Sequence, residues 1–358
     1  MAGKPTKDSP VLLFPTHYLG NFVLGLPWVL RVAEDYPELT LVIDERFRAL
    51  TESVVPDSIR LIDYPRDRLK KETSTWTRLR LYFGFLRRLR KATGQQIIDM
   101  EGERFTGVLC RLSGASERFG PTGKNAAHFY NSPRDLHYEK HRYNAFGEIL
   151  DVLVKGKAPS NILPYQLPES SEAAVDDFLS RHAISAPFVV IHPGASAEYK
   201  KWPVEHFAKL LSMLESNGLQ VVWIGAGDDM LMIRKIAEAA PESDIIHFDL
   251  LGYLELVALF RKARFYVGGD SGPMHLAAST GLDLVALFGP SKEAIWAPLG
   301  DHSRVLRGTK TCAKNCDAWQ CDFNYHCLSS LIPEVVFGAA TATRLAIDMR
   351  APNFHEED

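Results

Sequence analysis

The stretch Phe265-Tyr-Val-Gly-Gly-Asp-Ser-Gly-Pro-Met-His-Leu-Ala-Ala278 decides the fold. An apolar run ends in two glycines, a polar pair follows, and Pro273 opens a segment of small and apolar residues. That order reads as a strand, a tight turn and a helix, with Asp270 or Ser271 at the cap and Pro273 in the first turn. Gly272 and its neighbours let a ligand approach the backbone. The unpaired N–H groups and the positive dipole end of such a helix suit a diphosphate. His275, in the first turn, adds a donor. No GxGxxG accompanies the turn, which counts against a simple dinucleotide dehydrogenase. Taken alone, the same residues also describe a well-made strand-to-helix turn with a capping aspartate.

Upstream, Val190-Ile-His-Pro-Gly-Ala-Ser-Ala-Glu-Tyr-Lys-Lys-Trp-Pro203 repeats the scheme of strand, small-residue loop and helix. Ser196 lies in that loop, and Lys200 and Lys201 stand just before the helix. One of these lysines can meet a phosphate as a point charge while Trp202 anchors the loop. The alternative is a pair of solvated lysines beside a structural tryptophan. Gly225-Ala-Gly-Asp-Asp229 ends another strand, where the Asp229 carboxylate can accept from ribose hydroxyls. All three segments fall at strand ends of one domain, and a nucleoside diphosphate is the ligand that fits them together.

Working outward, strands are expected at 188–191, 220–224, 244–248, 264–267 and 284–288. Helices are expected between them at 203–215, 230–239, 254–262 and 273–280, the first closed by Asn217-Gly218. The first half carries strands at 11–14, 39–43, 59–63 and 96–99, with helices running to about 34 and over 104–113. Repeated β-α-β units imply parallel sheets covered on both faces. The expected architecture is α/β, two doubly wound Rossmann-like domains facing a cleft, with ligands beyond the carboxyl ends of the strands. The stretch 155–171, rich in Pro, Ser, Lys and Glu, suits an exposed linker. The expected division is 1–160, 161–335, and a C-terminal helix and tail over 336–358 that packs back on the first domain.

A chain of 358 residues is comfortable for two domains, and its net charge of -3 argues against a general nucleic-acid binder. No run approaches the length of a membrane span, and residues 1–10 hold no apolar signal region. Five cysteines make no disulfide framework, so the expected compartment is the cytoplasm. Cys312, Cys316, Cys321 and Cys327 have the ligand count of a structural zinc or iron site. Their spacing is looser than paired CxxC motifs, and reduced cysteines ordering a loop are the other reading. Cys110 reads as core. Segment 66–91 holds ten of the forty-one Lys and Arg against only Asp67 and Glu72. Its Trp76, Leu79, Tyr82, Phe83, Leu86 and Leu89 read as a buried apolar stripe. Its basic side, including Arg78 and Arg87, suits an anionic membrane surface or the phosphates of a lipid-linked acceptor.

These segments resemble family 9 glycosyltransferases, the bacterial heptosyltransferases of the lipopolysaccharide inner core. His192-Pro-Gly-Ala-Ser, Lys200-Lys-Trp-Pro-x-Glu-His-Phe, Gly269-Asp-Ser-Gly-Pro-Met-His-Leu-Ala-Ala and Phe288-Gly-Pro-Ser resemble the family's donor half. Leu19-Gly-Asn-Phe-Val-Leu-Gly-Leu-Pro27, Ile98-Asp-Met-Glu-Gly102 and Leu109-Cys-Arg-Leu-Ser-Gly-Ala115 resemble its acceptor half. The resemblance implies a GT-B architecture and inverting transfer from ADP-heptose, a co-substrate, to a hydroxyl of a lipid-linked glycan, with no cofactor required. The site is then in the cytoplasm or at the inner membrane face. The implied donor site includes Ser196, Lys200, Asp229, Asp270, Ser271, Gly272 and His275. The adenine is expected near Leu251-Gly252-Tyr253-Leu254. The implied acceptor side includes Glu101, Arg104, Arg78 and Arg87.

One position departs from the family's pattern. Where the family usually carries an Asp after the glycine of the first loop, as general base, this chain has Asn21. An amide cannot accept the proton. Either a neighbour (His17, Glu101 or Asp99) takes that role, or the chain is a catalytically impaired relative that binds nucleotide in a regulatory capacity. His17 is otherwise a polar loop residue with no role.

Overall fold

Apolar runs of four or five residues become the central strands here, β1, β7, β10 and β11 among them, because they are buried on both sides as a parallel sheet covered by helices demands. A computed structural model describes residues 9–122, 126–135, 139–185, 187–249, 252–309, 321, 323 and 325–342. It divides into two units, Met1–Gln166 and Leu167–Asp358.

The first unit runs β1 (Val11–Phe14), α1 (Leu19–Asp35), β2 (Thr40–Asp44), α2 (Arg48–Glu52), β3 (Arg60–Tyr64) and α3 (Arg66–Lys71). It continues with α4 (Thr75–Ala92), β4 (Gln96–Asp99), α5 (Arg104–Ser113), β5 (Glu117–Pro121), β6 (Ser132–Arg134) and α6 (Arg142–Leu150). Its sheet order is β3-β2-β1-β4-β5-β6, parallel throughout, with Leu13 beside Val42 on one side and Asp99 on the other. Helices α1 and α6 pack together, as do α4 and α5. Val11, Leu13, Phe85, Leu89, Ile97, Leu109 and Cys110 share one core, so Cys110 is core as expected.

The second unit opens with α7 (Glu169–Arg181) and runs β7 (Phe188–His192), α8 (Val204–Glu215), β8 (Gln220–Ile224), α9 (Asp229–Ala239), β9 (Ile246–Phe248) and α10 (Tyr253–Lys262). Then follow β10 (Phe265–Gly269), α11 (Gly272–Ser279), β11 (Leu284–Leu287), α12 (Glu293–Trp296), β12 (Ser303–Leu306), α13 (His326–Ser329) and α14 (Pro333–Thr341). Its order, β12-β11-β10-β7-β8-β9, repeats the first sheet's topology. Helix α8 ends where expected: Gly218 takes φ +74° and the Leu219 N–H donates to the Leu214 carbonyl at 3.1 Å. Trp202, Phe207, Leu211, Trp223 and Ile233 fill its core.

Three expectations change. The stretch expected as an exposed linker buries Leu163 and Tyr165, and its last residues already belong to α7. Composition marked its prolines and charges but not the two large side chains that anchor it. Helix α14 packs on α8 and β11, with Val336 and Ala340 in the second unit's core; residues 343–358 lie outside the described ones. In α4 the expected apolar stripe is only partly buried. Phe85, Leu86 and Leu89 are, while Trp76, Leu79 and Phe83 face solvent, because the helix runs past the elements that cover its second half.

Candidate active site

In the second unit the sheet changes direction between β7 and β10: from β7 the chain steps toward β8, from β10 toward β11. The loops after these strands therefore part, and the crevice between them is where doubly wound sheets bind ligands. Strand pairing sets Gly268 beside His192, so the loops leave the sheet at one level.

Three groups of residues distant in sequence meet there. Lys200 Nζ lies 2.6 Å from Asp270 Oδ2, with the carboxylate nearly buried. His192 Nδ1 lies 3.2 Å from Ser271 Oγ, and His192 Nε2 lies 3.3 Å from Asp229 Oδ2. Burial of Asp229 opposes its ionisation. The hydrogen bond and charge of His192, the Ala226 N–H and Lys201 outweigh it and hold the carboxyl below its ordinary value. His192 thus bridges the Asp229 carboxylate and the Ser271 hydroxyl through its two ring nitrogens. Gly194 lets that carboxylate lie against the loop, since a Cβ would stand 1.9 Å from Asp229 Oδ1.

The expected cap of α11 is corrected. Ser271 occupies the N-cap position, but no side chain caps the helix, because its hydroxyl is turned to His192 and Asp270 to Lys200. The start of α11 therefore lies beside Lys200 without a side-chain cap from Ser271, and helix starts of this kind attract anions. His275 is buried in the first turn, and Ser196 lies in the loop after β7. Asp229 was expected to meet ribose, yet its Oδ2 already serves His192 and Ala226. Gly252 and Tyr253 form the start of α10 after the edge strand β9, on the same strand-end side. Leu251 lies outside the described residues.

The first unit has the same switch between β1 and β4. His17, Asn21, Glu101 and Arg104 all belong to the loops and helix starts that follow those two strands. Asn21 sits in the first turn of α1, and its Oδ1 is buried without a hydrogen-bond partner among the described residues. Glu101 is buried, while Arg104 is exposed at the start of α5. Asp99, weighed as a base, is fully enclosed: it accepts from the Glu101 and Gly102 amides and from Tyr130 Oη at 2.7 Å. Burial raises its pKa, but those bonds leave it no open face. It is a structural group.

An unforeseen clamp shapes the loop after β1. Asp44, with no exposure, accepts from Arg46 Nε at 3.0 Å and Arg66 Nε at 2.6 Å. Arg66 Nη2 donates to the Pro15 carbonyl at 2.6 Å, and Arg46 Nη2 to that of His17 at 3.3 Å. Loss of hydration, then the charges of Arg66 and Arg46, hold the His17 imidazole below its ordinary pKa. Its ring lies 3.7 Å, centroid to centroid, from that of Tyr18, which is exposed.

Sequence reasoning assigned no role to His192, Asp44, Arg46 or Arg66. The sequence signal for His192 was its place as the last residue of a buried strand, next to a Pro-Gly loop. Arg78 and Arg87 lie on α4, away from these loops in the sheet order, and both are exposed. Cys312 and Cys316 lie outside the described residues. Cys321 Sγ accepts from the Tyr325 amide, Cys327 is buried, and no metal-binding group of three or more side chains occurs among the described residues.

A family model described as glycosyltransferase family 9 (heptosyltransferase) matches residues 83–326. Lipooligosaccharide heptosyltransferase 2 of Haemophilus influenzae is 32% identical over 176 residues, 46% of this chain and 51% of the relative. The chain thus spans about half the length of that relative. A glycosyl transferase family 9 structure from Veillonella parvula superposes with TM-score 0.81 at 21% identity, covering 97% of this chain and 100% of that one. The Escherichia coli heptosyltransferase WaaC with ADP gives 0.70 at 19% identity, covering 95% and 99%. These likenesses establish the fold as GT-B, two Rossmann-like domains.

Proposed function

We infer the reaction from one premise: the chain belongs to glycosyltransferase family 9, the heptosyltransferase family. We propose that it transfers a heptose from ADP-heptose, with inversion, to a hydroxyl of a lipopolysaccharide inner-core or similar lipid-linked glycan. The observation that carries this reading is the second unit's switch point, where Lys200 and the uncapped start of α11 stand together. A diphosphate fits both. The names of the Haemophilus relative and of the WaaC complex with ADP support the sugar and the base.

In the step proposed, the acceptor oxygen attacks the anomeric carbon from the face opposite the diphosphate. The new C–O bond forms as the bond to the β-phosphate oxygen breaks, and its electron pair leaves with ADP. Lys200 and the α11 amides stabilise that developing charge. The acceptor proton goes to His17, whose lowered pKa leaves the imidazole unprotonated and so able to accept it at pH 7. Asn21 Oδ1, buried and unpartnered, accepts a hydrogen bond from the acceptor hydroxyl and orients it without taking the proton. Glu101 and Arg104 hold the acceptor, with Arg78 and Arg87 toward its lipid end at the inner membrane face. Ser196, Asp229, Gly252, Tyr253, Ser271, Gly272 and His275 complete the donor side, with Asp229 acting through His192.

Calorimetric titration with ADP, UDP and GDP, followed by transfer assays with ADP-heptose and a core glycan, tests the reading. Selective ADP binding with turnover is expected. Binding without turnover on any glycan overturns the transfer reaction, and preference for another base overturns the donor.

A further inference from the structure

Helix α4 has two opposite faces, and only one is explained by the fold. Phe85, Leu86, Leu89 and Ala92 are buried in the first unit's core. On the other side, Trp76 stands three and four residues before Leu79 and Arg80, Phe83 four and three after them, and Arg87 four beyond Phe83, so these side chains share a single stripe. Trp76 is 83% exposed, Leu79 41% and Phe83 61%, a concentration of large apolar side chains that nothing among the described residues covers. Arg78, Arg80 and Arg87 are exposed beside them and have no ion-pair or hydrogen-bond partner among the described residues. Arg88 and Arg90, by contrast, bond to the carbonyls of Asp63 and Leu112.

Charge says what covers the stripe. Segment 66–91 carries ten Lys and Arg against two acids, while the rest of the chain carries 31 against 42. The helix is thus a strongly basic island on an acidic protein. An anionic surface attracts it and repels everything else, which fixes the orientation as well as the contact. A phosphorylated glycan alone answers the arginines but leaves Trp76, Leu79 and Phe83 in water. A bilayer interface answers both.

We propose that α4 docks this protein on an anionic lipid bilayer, with Trp76, Leu79 and Phe83 entering the headgroup–acyl boundary and the flanking arginines meeting lipid phosphates. The stripe has the composition of an interfacial helix, arginines beside tryptophan and phenylalanine. The inference deepens the reading of a lipid-linked acceptor, and rests on it only for which bilayer is met. No helix among the described residues is long and apolar enough to cross a membrane, so docking is by one face of one helix.

The test is flotation of the full chain with vesicles of phosphatidylcholine alone or mixed with phosphatidylglycerol. The wild type is expected to float with the anionic vesicles only, and to be released by salt. The variant Trp76→Ala/Leu79→Ala/Phe83→Ala is expected to lose about tenfold or more in partitioning, while its transfer to a delipidated core glycan is unchanged. Circular dichroism confirms its fold, which the exposed positions do not support. Flotation of the variant like wild type, or no flotation of wild type with anionic vesicles, overturns the proposal. So does loss of transfer to the delipidated glycan, which makes the stripe an acceptor subsite. Failure of wild type to transfer to any glycan strikes the reaction instead, and leaves the vesicle result standing.

Discussion

Lys200→Ala separates binding from architecture. Lys200 Nζ lies 2.6 Å from Asp270 Oδ2, with the lysine side chain 21% and the aspartate 9% exposed. Removing one partner of a fully buried pair costs about 3–5 kcal/mol. Here water reaches the lysine end, so a loss of roughly 1–2 kcal/mol in unfolding free energy is expected. The effect on ligand is larger. A charge-assisted hydrogen bond to phosphate is worth about 2 kcal/mol, or about thirtyfold in Kd for ADP. As the leaving oxygen gains charge, loss of one preorganised donor lowers kcat by about 100-fold or more. Calorimetry with ADP, steady-state kinetics and denaturant unfolding read the three quantities. The double variant Lys200→Ala/Asp270→Asn removes the stranded carboxylate; it should recover stability while ADP affinity stays about thirtyfold down. Wild-type ADP affinity in Lys200→Ala would refute the phosphate contact. Recovery of affinity in the double variant would refute it too, by showing that repulsion from Asp270 caused the loss.

Asn21→Asp should preserve or raise transfer, since a carboxylate both accepts the hydrogen bond and takes the proton. A fall of tenfold or more, about 1.4 kcal/mol on the barrier, would show that this site is built around the amide. Because the folded protein holds His17 below its ordinary pKa of 6.5, its proton is bound less tightly than in the unfolded chain. Its contribution to stability is therefore present above about 6.5 and falls as pH drops below it. As base, His17 should give kcat/KM an acid limb below 6.5 that His17→Gln abolishes; a limb surviving in that variant would assign it to another group. Gly194→Ala drives a Cβ to 1.9 Å from Asp229 Oδ1, so it should displace that carboxylate from His192. A loss of about 1–3 kcal/mol in stability with weakened ADP binding is expected; unchanged calorimetry would refute the coupling.

The sheets were legible in the sequence because buried parallel strands read as unbroken apolar runs. The helix over 203–215 announced itself at both ends, with Pro203 before it and Asn217-Gly218 after. Strand ends flanked by small residues pointed to the loops that leave β7, β8 and β10. Pairings across loops were not legible. Lys200 and Asp270 are 70 residues apart, and His192 meets partners 37 and 79 residues away. Only the placement of β7 beside β10 and β8 brings them together. Periodicity placed Trp76, Leu79 and Phe83 on one face of α4 but was silent on which face its neighbours cover. Asp44 looked like the end of an ordinary strand until Arg66, 22 residues on, folded back over it.

That carboxylate has a consequence for position 21. Asp44 fixes two guanidinium groups, and these hold the carbonyls of Pro15 and His17. The entry to α1 is therefore shaped by residues 44, 46 and 66, none of which touches substrate in the reaction proposed. The side chain at 21 takes no part in that shaping, since its oxygen holds nothing in place. The Asp44 clamp that shapes the loop does not use the oxygen at position 21, so exchange between amide and carboxylate there is expected to leave the clamp in place. Reactivity there is free to drift, or to be selected, without the fold resisting.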